Sequence, residues 1–307
     1  MIYFDLSHFA LLRINGNDAF PFLQAQICGD LRQLERLGWF QSAWCLPNGR
    51  VIATFILLQQ EDSFFLLLPS MLKKKVMKRL GMYVLRSDVK FSDVGDEYLT
   101  LGLAGDKAEE LINGLNTGEV TQRGCLLLKD KLTLLKMNQS GNRFILLGRM
   151  DDCNEVLETI TDRYPCGERA QWSLYDIEAG LPWVLETTTE KFLPQMLNLD
   201  LSSGLSYQKG CYPGQEIIAR TYYRGQVKKR LYLGTTTSDT TPGPGDRIVL
   251  ESVARAVGDI LDAERNGRGR VRFLAVVEIE AAENDALTIE GQTGIRITLD
   301  PVKYPRN

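Results

Sequence analysis

The chain has 307 residues, 44% hydrophobic and 24% charged, with a formal net charge of −3. These proportions exclude a disordered or fibrous chain, and the acidic balance excludes a whole-protein basic field for nucleic acid. One histidine, His8, and six cysteines without a CxxC pair leave almost nothing from which to build a catalytic triad, a zinc site or an iron–sulfur site, so no metal is expected.

Residues 2–14 read as a strand ending at an Asn15-Gly16 turn. A helix follows in NDAFPFLQAQI, capped by Asn17 or Asp18, with Pro21 in the first turn, where a missing N–H costs least. Residues 39–68 predict three strands separated by the turns Pro47-Asn48-Gly49 and Glu61-Asp62-Ser63. Residues 71–82 form a basic amphipathic helix, with Met71, Leu72, Val76, Met77 and Leu80 inward and the lysines and Arg79 outward. A strand and an Asp106-capped helix come next, in YLTLGLAG and DKAEELING, and the same order recurs over residues 141–160. Strands mixed with helices, many in hairpin order, predict an α+β fold with antiparallel sheets. The segment Thr235–Asp246, TTTSDTTPGPGD, reads as a linker. Beyond it VRFLAVVEIE, LTIEG and IRITLD predict a small all-β barrel or sandwich. The expected domains are therefore residues 1–232 and 233–307.

The N-terminus lacks the basic start and apolar core of a signal peptide, and no apolar run approaches a membrane span. A cytoplasmic protein with free thiols and no membrane partner is expected. There is no GxxxxGKS/T and no GxGxxG, which argues against a nucleotide-driven enzyme.

The informative stretch is residues 202–230, SSGLSYQKGCYPGQEIIARTYYRGQVKKR. A glycine-rich loop delivers Cys211 to a turn before a short helix, roughly Gly214 to Tyr222. A thiol before a helix N-terminus, with Lys209 two residues away, is expected to be activated. Gly210 and Gly214 permit positive φ or close approach, and Gln215 and Glu216 are expected to anchor the loop. Arg220, Arg224, Lys228, Lys229 and Arg230 place five cations in eleven residues. A folate polyglutamate tail, a tRNA phosphate, an acidic partner or plain solvent would each suit that cluster. Tyr222 and Tyr223 fit stacking and packing equally.

KGCYPGQEIIAR resembles the K-G-C-Y/F-x-G-Q-E signature of the YgfZ family of folate-binding proteins, relatives of the glycine-cleavage T-protein (aminomethyltransferase). INGNDAFPFLQAQICGDL, QWSLYDIEAGLPWV and FLPQMLNLDLSSGLSYQKGCY resemble further segments of that family, in order, over most of residues 5–232. The resemblance implies two interwoven α+β domains, ferredoxin-like and antiparallel, and a C-terminal β-barrel around a central channel. It implies tetrahydrofolate as ligand, with Phe9, Trp172 and Glu178 as binding residues. Phe9 stands where such proteins have a second tryptophan, so it can stack but not donate. It also implies a role in assembly or repair of iron–sulfur client proteins and in tRNA thiomethylation. Cys211 and Lys209 then form the working thiol site, supported by Gly210, Tyr212, Gly214, Gln215, Glu216 and Arg220. Where the aminomethyltransferases place a catalytic aspartate, this chain has Ala53 and Thr54, so their one-carbon transfer is not expected. The alternatives are a folate-dependent transferase or demethylase that dispenses with that carboxylate, and a tRNA-binding module.

Overall fold

The computed structural model describes residues 1–114, 125–127, 132–137, 142–283, 286–292 and 295–304. Gly141 and the side chain of Cys125 lie outside the described residues.

The first expected strand is two, β1 (Ile2–Asp5) and β2 (Phe9–Asn15). The break has a local cause. The Asp5 carboxylate accepts from the backbone N–H of Ser7 at 2.8 Å and from its hydroxyl at 3.1 Å. That side chain offers the backbone a turn in place of a ladder. After β2 come α1 (Ala19–Gln26) and a short α2 (Leu34–Leu37), then β3 (Trp39–Cys45), β4 (Val51–Gln60) and β5 (Ser63–Pro69). The three expected strands are therefore present, and their turns stand where Asn48-Gly49 and Glu61-Asp62 reverse the chain. In the basic helix α3 (Lys73–Gly81), Val76 and Leu80 are buried, as is Leu72 just before it. Met71, expected inside, is 50% exposed because residues 70–72 form a separate 3-10 turn.

The strand–helix repeat is present as β7 (Tyr98–Ala104) with α4 (Lys107–Gly114), and β10 (Arg143–Arg149) with α5 (Met150–Arg163). β6 (Lys90–Asp93) precedes the pair, while β8 (Cys125–Leu127) and β9 (Thr133–Lys136) lie within it. The sheet order is β1-β7-β10-β9-β8. Its core joins Leu101, Leu103, Leu134, Phe144 and Leu146 to Cys153 and Ile160 of α5. A second five-stranded sheet runs β3-β4-β5-β2-β6. Next come α6 (Arg169–Glu178) and α7 (Gln215–Tyr223).

The C-terminal strands are β11 (Lys229–Thr236), β12 (Arg247–Leu250), β13 (Arg255–Arg265), β14 (Val271–Glu278), β15 (Leu287–Ile289) and β16 (Ile297–Pro301), with a one-turn α8 (Ile279–Ala282) after β14. Their order is β15-β12-β13-β14-β11-β16. The sheet curls until its outer strands meet, through a bridge between Thr288 and Arg296 and the Thr288 hydroxyl donating to Ile295 O at 2.8 Å. Bulges in the β12–β13 and β13–β14 pairs supply curvature. Val257, Ile260, Phe273, Val277 and Leu287 fill the interior. β11 belongs to this sheet from Lys229, so Thr235 and Thr236 are strand rather than linker, and position 233 falls in mid-strand.

The chain divides into two compact units. One comprises residues 1–23, 31–40 and 55–172; the other comprises 24–30, 41–54 and 173–307. Among the described residues no helix is long and apolar enough to cross a membrane.

Candidate functional site

The cysteine loop is held from several sides within the second unit. Lys209 is only 6% exposed, and its ammonium donates to Ile27 O at 2.9 Å and Gly29 O at 2.7 Å. These two bonds fix the loop to the 27–29 segment. That segment is itself tied down. Ser42 donates from Oγ to Gly204 O at 2.9 Å and accepts from Gly29 N at 2.9 Å, fully buried. Tyr212 is buried, with its hydroxyl donating to Ser206 O at 3.3 Å and its ring 5.3 Å from the Lys209 ammonium. Burial pushes its phenol far above the ordinary range.

Gly214 is the second brace. Its φ is +83°, and a Cβ there would lie 2.6 Å from both Gly49 Cα and Leu46 O. Only glycine fits where the loop meets the 46–49 turn. Gly210 differs from expectation: a Cβ would meet nothing within 4 Å, and its φ is not in the positive region. Helix α7 starts at Gln215, four residues after Cys211, with Gly214 as its cap. Gln215 and Glu216 make no side-chain hydrogen bond among the described residues. The anchor is instead Gln195, fully buried, which donates from Nε2 to Ile218 O at 2.7 Å. Asn198, also buried, bonds both ways with the backbone of Leu231 at 3.0 and 3.3 Å. Sequence reading missed both as working residues, although they lie in the FLPQMLNL segment it singled out.

What these braces present is Cys211, an exposed free thiol. Two further thiols of this unit, Cys28 and Cys45, are buried together. Burial and the neighbouring Cys28 push the Cys45 thiol well up. At Cys28 burial acts in the same sense, but hydrogen bonding with Cys45, Ser42 and the Ala43 backbone, together with the Lys209 charge, brings the net direction down.

The expected folate residues fall in both units. Phe9 starts β2, 9% exposed, with the His8 ring at 4.4 Å. His8 itself is lowered to about 4, by burial and by the Arg169 charge, so it is neutral at pH 7. Trp172 is 1% exposed: the Arg143 guanidinium lies 4.2 Å over its ring, Phe4 packs at 5.3 Å, and Gly102 leaves the space its six-membered ring occupies. In the other unit, Glu178 ends α6 with its side chain exposed. The acid buried in that helix is Asp176, which accepts from Trp183 Nε1 at 2.8 Å. Thr54 is fully buried, donating to Pro182 O at 2.7 Å and accepting from Val184 N at 3.0 Å. Ala53 beside it is also fully buried.

Of the five cations, Arg230 is withdrawn into a two-pronged pair with Asp200 at 2.6 and 2.9 Å, and it also donates to Gln195 O. Lys229 stands 4.0 Å from Glu278. Arg220, Arg224 and Lys228 are exposed and make no ion pair among the described residues.

Comparison with known proteins agrees with this layout. Residues 1–125 match the GCVT N-terminal domain. A solved glycine cleavage system aminomethyltransferase T from Bartonella henselae superimposes with a TM-score of 0.79 at 14% identity, covering 98% of this chain and 85% of that one, which establishes a T-protein fold. The tRNA-modifying protein YgfZ of Hamiltonella defensa is 28% identical over 298 residues, 96% of this chain and 88% of the relative. That of Buchnera aphidicola is 31% identical over 247 residues, 80% of this chain and 77% of the relative. With the fold and these relatives in agreement, the chain belongs to the YgfZ family.

Proposed function

We propose that this protein serves tRNA modification as a folate-binding accessory factor whose working group is the Cys211 thiol. Support for the tRNA role comes from the family, whose curated relatives are named for it. The observation that carries the thiol role is a contrast within one loop. Lys209, Tyr212 and Gly214 are each fixed by buried contacts, yet the residue they surround is an open thiol. A loop built only for packing would bury its cysteine, as Cys28 and Cys45 are buried.

A thiol held in one place is preorganised for contact with a sulfur or iron–sulfur client. Ordinary cluster ligation takes four thiolates, so Cys211 touches a client's cluster or sulfur in passing rather than hosting a cluster alone. For tetrahydrofolate the fit is uneven. The exposed Glu178 carboxylate suits the paired N–H donors of a pterin. Trp172 does not present a ring face, and Phe9 presents little of one, so the folate assignment rests on Glu178. One-carbon transfer of the T-protein kind draws no support, because Thr54 spends its hydroxyl on the backbone of residues 182–184 and Ala53 carries no polar group.

The test is complementation. Expression of this chain in a bacterium lacking its own YgfZ is expected to restore thiomethylated tRNA nucleosides, read by mass spectrometry; no restoration despite normal expression would reject the reading. In calorimetry with tetrahydrofolate, Glu178→Gln is expected to weaken binding at least tenfold, and unchanged binding would remove Glu178 from the site.

A further inference from the structure

The outer end of α7 carries two tyrosines that the thiol site does not use. Tyr222 and Tyr223 are 54% and 66% exposed. Tyr207 joins them from the preceding loop. Its ring stacks on Tyr222 at 4.0 Å and 18°, while Tyr223 stands edge-on to both, at 4.9 and 6.3 Å. The stack holds Tyr222 in one orientation, so the open ring surface is preorganised. Beside it Glu216, Ala219, Arg220, Tyr223 and Arg224 line a shallow recess of about 280 Å³. Every residue from Tyr222 to Gln226 is exposed, and Arg220, Arg224 and Lys228 remain outside any ion pair among the described residues.

A partner for this surface must offer flat faces and negative charge side by side. An unpaired nucleotide strand has that alternation, with bases for the rings and phosphates for the guanidiniums. A duplex hides its base faces, and an acidic peptide has charge without a series of rings. We propose that Tyr207, Tyr222, Tyr223, Arg220, Arg224 and Lys228 form a platform for single-stranded RNA, with a base stacked on an open tyrosine and phosphates against the arginines. The choice of RNA over DNA rests on the tRNA-modification reading above; the platform rests on the geometry.

The probe is a fluorescein-labelled single-stranded oligouridine RNA of about ten nucleotides, followed by anisotropy between about 50 and 200 mM salt, with a duplex RNA of equal length alongside. Tyr222→Ala with Tyr223→Ala is expected to lower affinity about 5- to 150-fold for each base that loses its stack, leaving the salt slope unchanged. The corresponding pair of Phe substitutions keeps the ring faces and should keep the binding. Arg220→Gln with Arg224→Gln is expected to reduce the slope of log affinity against log salt by about 1.4. The same loss of charge on the unrelated helix α3, Lys74→Gln with Lys78→Gln, is expected to change neither affinity nor slope.

Absence of wild-type binding, duplex binding as tight as single-strand binding, a tyrosine-to-alanine pair that binds like wild type, or an α3 variant as impaired as the arginine variant would each overturn the proposal. If the wild type restores tRNA modification in cells without binding the probe, the platform falls and the tRNA role stands. If it binds as expected but restores nothing, the platform stands and the tRNA role falls.

Discussion

Replacing Gly214 by alanine tests how the cysteine loop is held. The new Cβ would lie 2.6 Å from Gly49 Cα, 2.6 Å from Leu46 O and 2.7 Å from Gly49 N, all backbone atoms, at a φ of +83°. A left-handed conformation costs an L-residue about 1–2 kcal/mol. Forcing two packed backbone segments apart costs about 1–3 kcal/mol more. The sum is about 2–5 kcal/mol. Unfolding entropy near 2.1 cal/mol/K per residue gives about 0.65 kcal/mol/K over 307 residues, so the melting temperature should fall by about 3–8 °C in calorimetry. Gly210→Ala, four residues earlier, is the internal control. Its Cβ meets nothing within 4 Å, and the melting temperature should stay within about 1 °C or rise slightly as the unfolded chain loses freedom. Equal effects at the two glycines would refute the steric reasoning.

Lys209→Met keeps the aliphatic stem but leaves Ile27 O and Gly29 O without their donor; at about 1–3 kcal/mol for each buried unpaired group, chemical denaturation should report a loss of about 2–6 kcal/mol. Breaking the half-buried Arg230–Asp200 pair by Asp200→Ala should cost about 1.5–3 kcal/mol in the same assay, whereas Lys228→Ala, on an exposed cation, should fall within about 0.5 kcal/mol of wild type. His8 gives a pH dependence. The unfolded imidazole takes up a proton near pH 6.5, the folded one only near pH 4, so the unfolded state binds more protons across that interval and stability falls as pH drops through it. Melting curves of His8→Gln between pH 7 and pH 5 should therefore decline less steeply than those of the wild type, and parallel declines would rule out the buried neutral imidazole.

The legible parts of this protein are those whose cause lies within a few residues. The hairpin turns at Asn48-Gly49 and Glu61-Asp62, the β7–α4 and β10–α5 repeat and the alternating C-terminal strands each carry their own signal. So does the density of polar residues around Cys211. What was not legible depends on partners distant in sequence. Lys209 reads as the cation that activates the neighbouring thiol, and only the fold brings Ile27 O and Gly29 O to its ammonium. Arg230 looks like one of five equivalent cations until Asp200, thirty residues earlier, withdraws it. Glu178 and Asp176 are two residues apart on one helix, and the sequence alone does not say which is buried. Tyr207 lies well before Tyr222 in the chain, so their stack was invisible while the two adjacent tyrosines were not.

The most direct test of the thiol's role compares Cys211→Ala with Cys166→Ala, the latter removing another exposed free thiol. Both variants and the wild type would be expressed in a bacterium lacking its own YgfZ, with thiomethylated tRNA nucleosides quantified and melting temperatures checked on the purified proteins. If Cys211 is the working thiol, Cys166→Ala gives wild-type levels and Cys211→Ala gives background levels at unchanged stability. Full restoration by Cys211→Ala would contradict it.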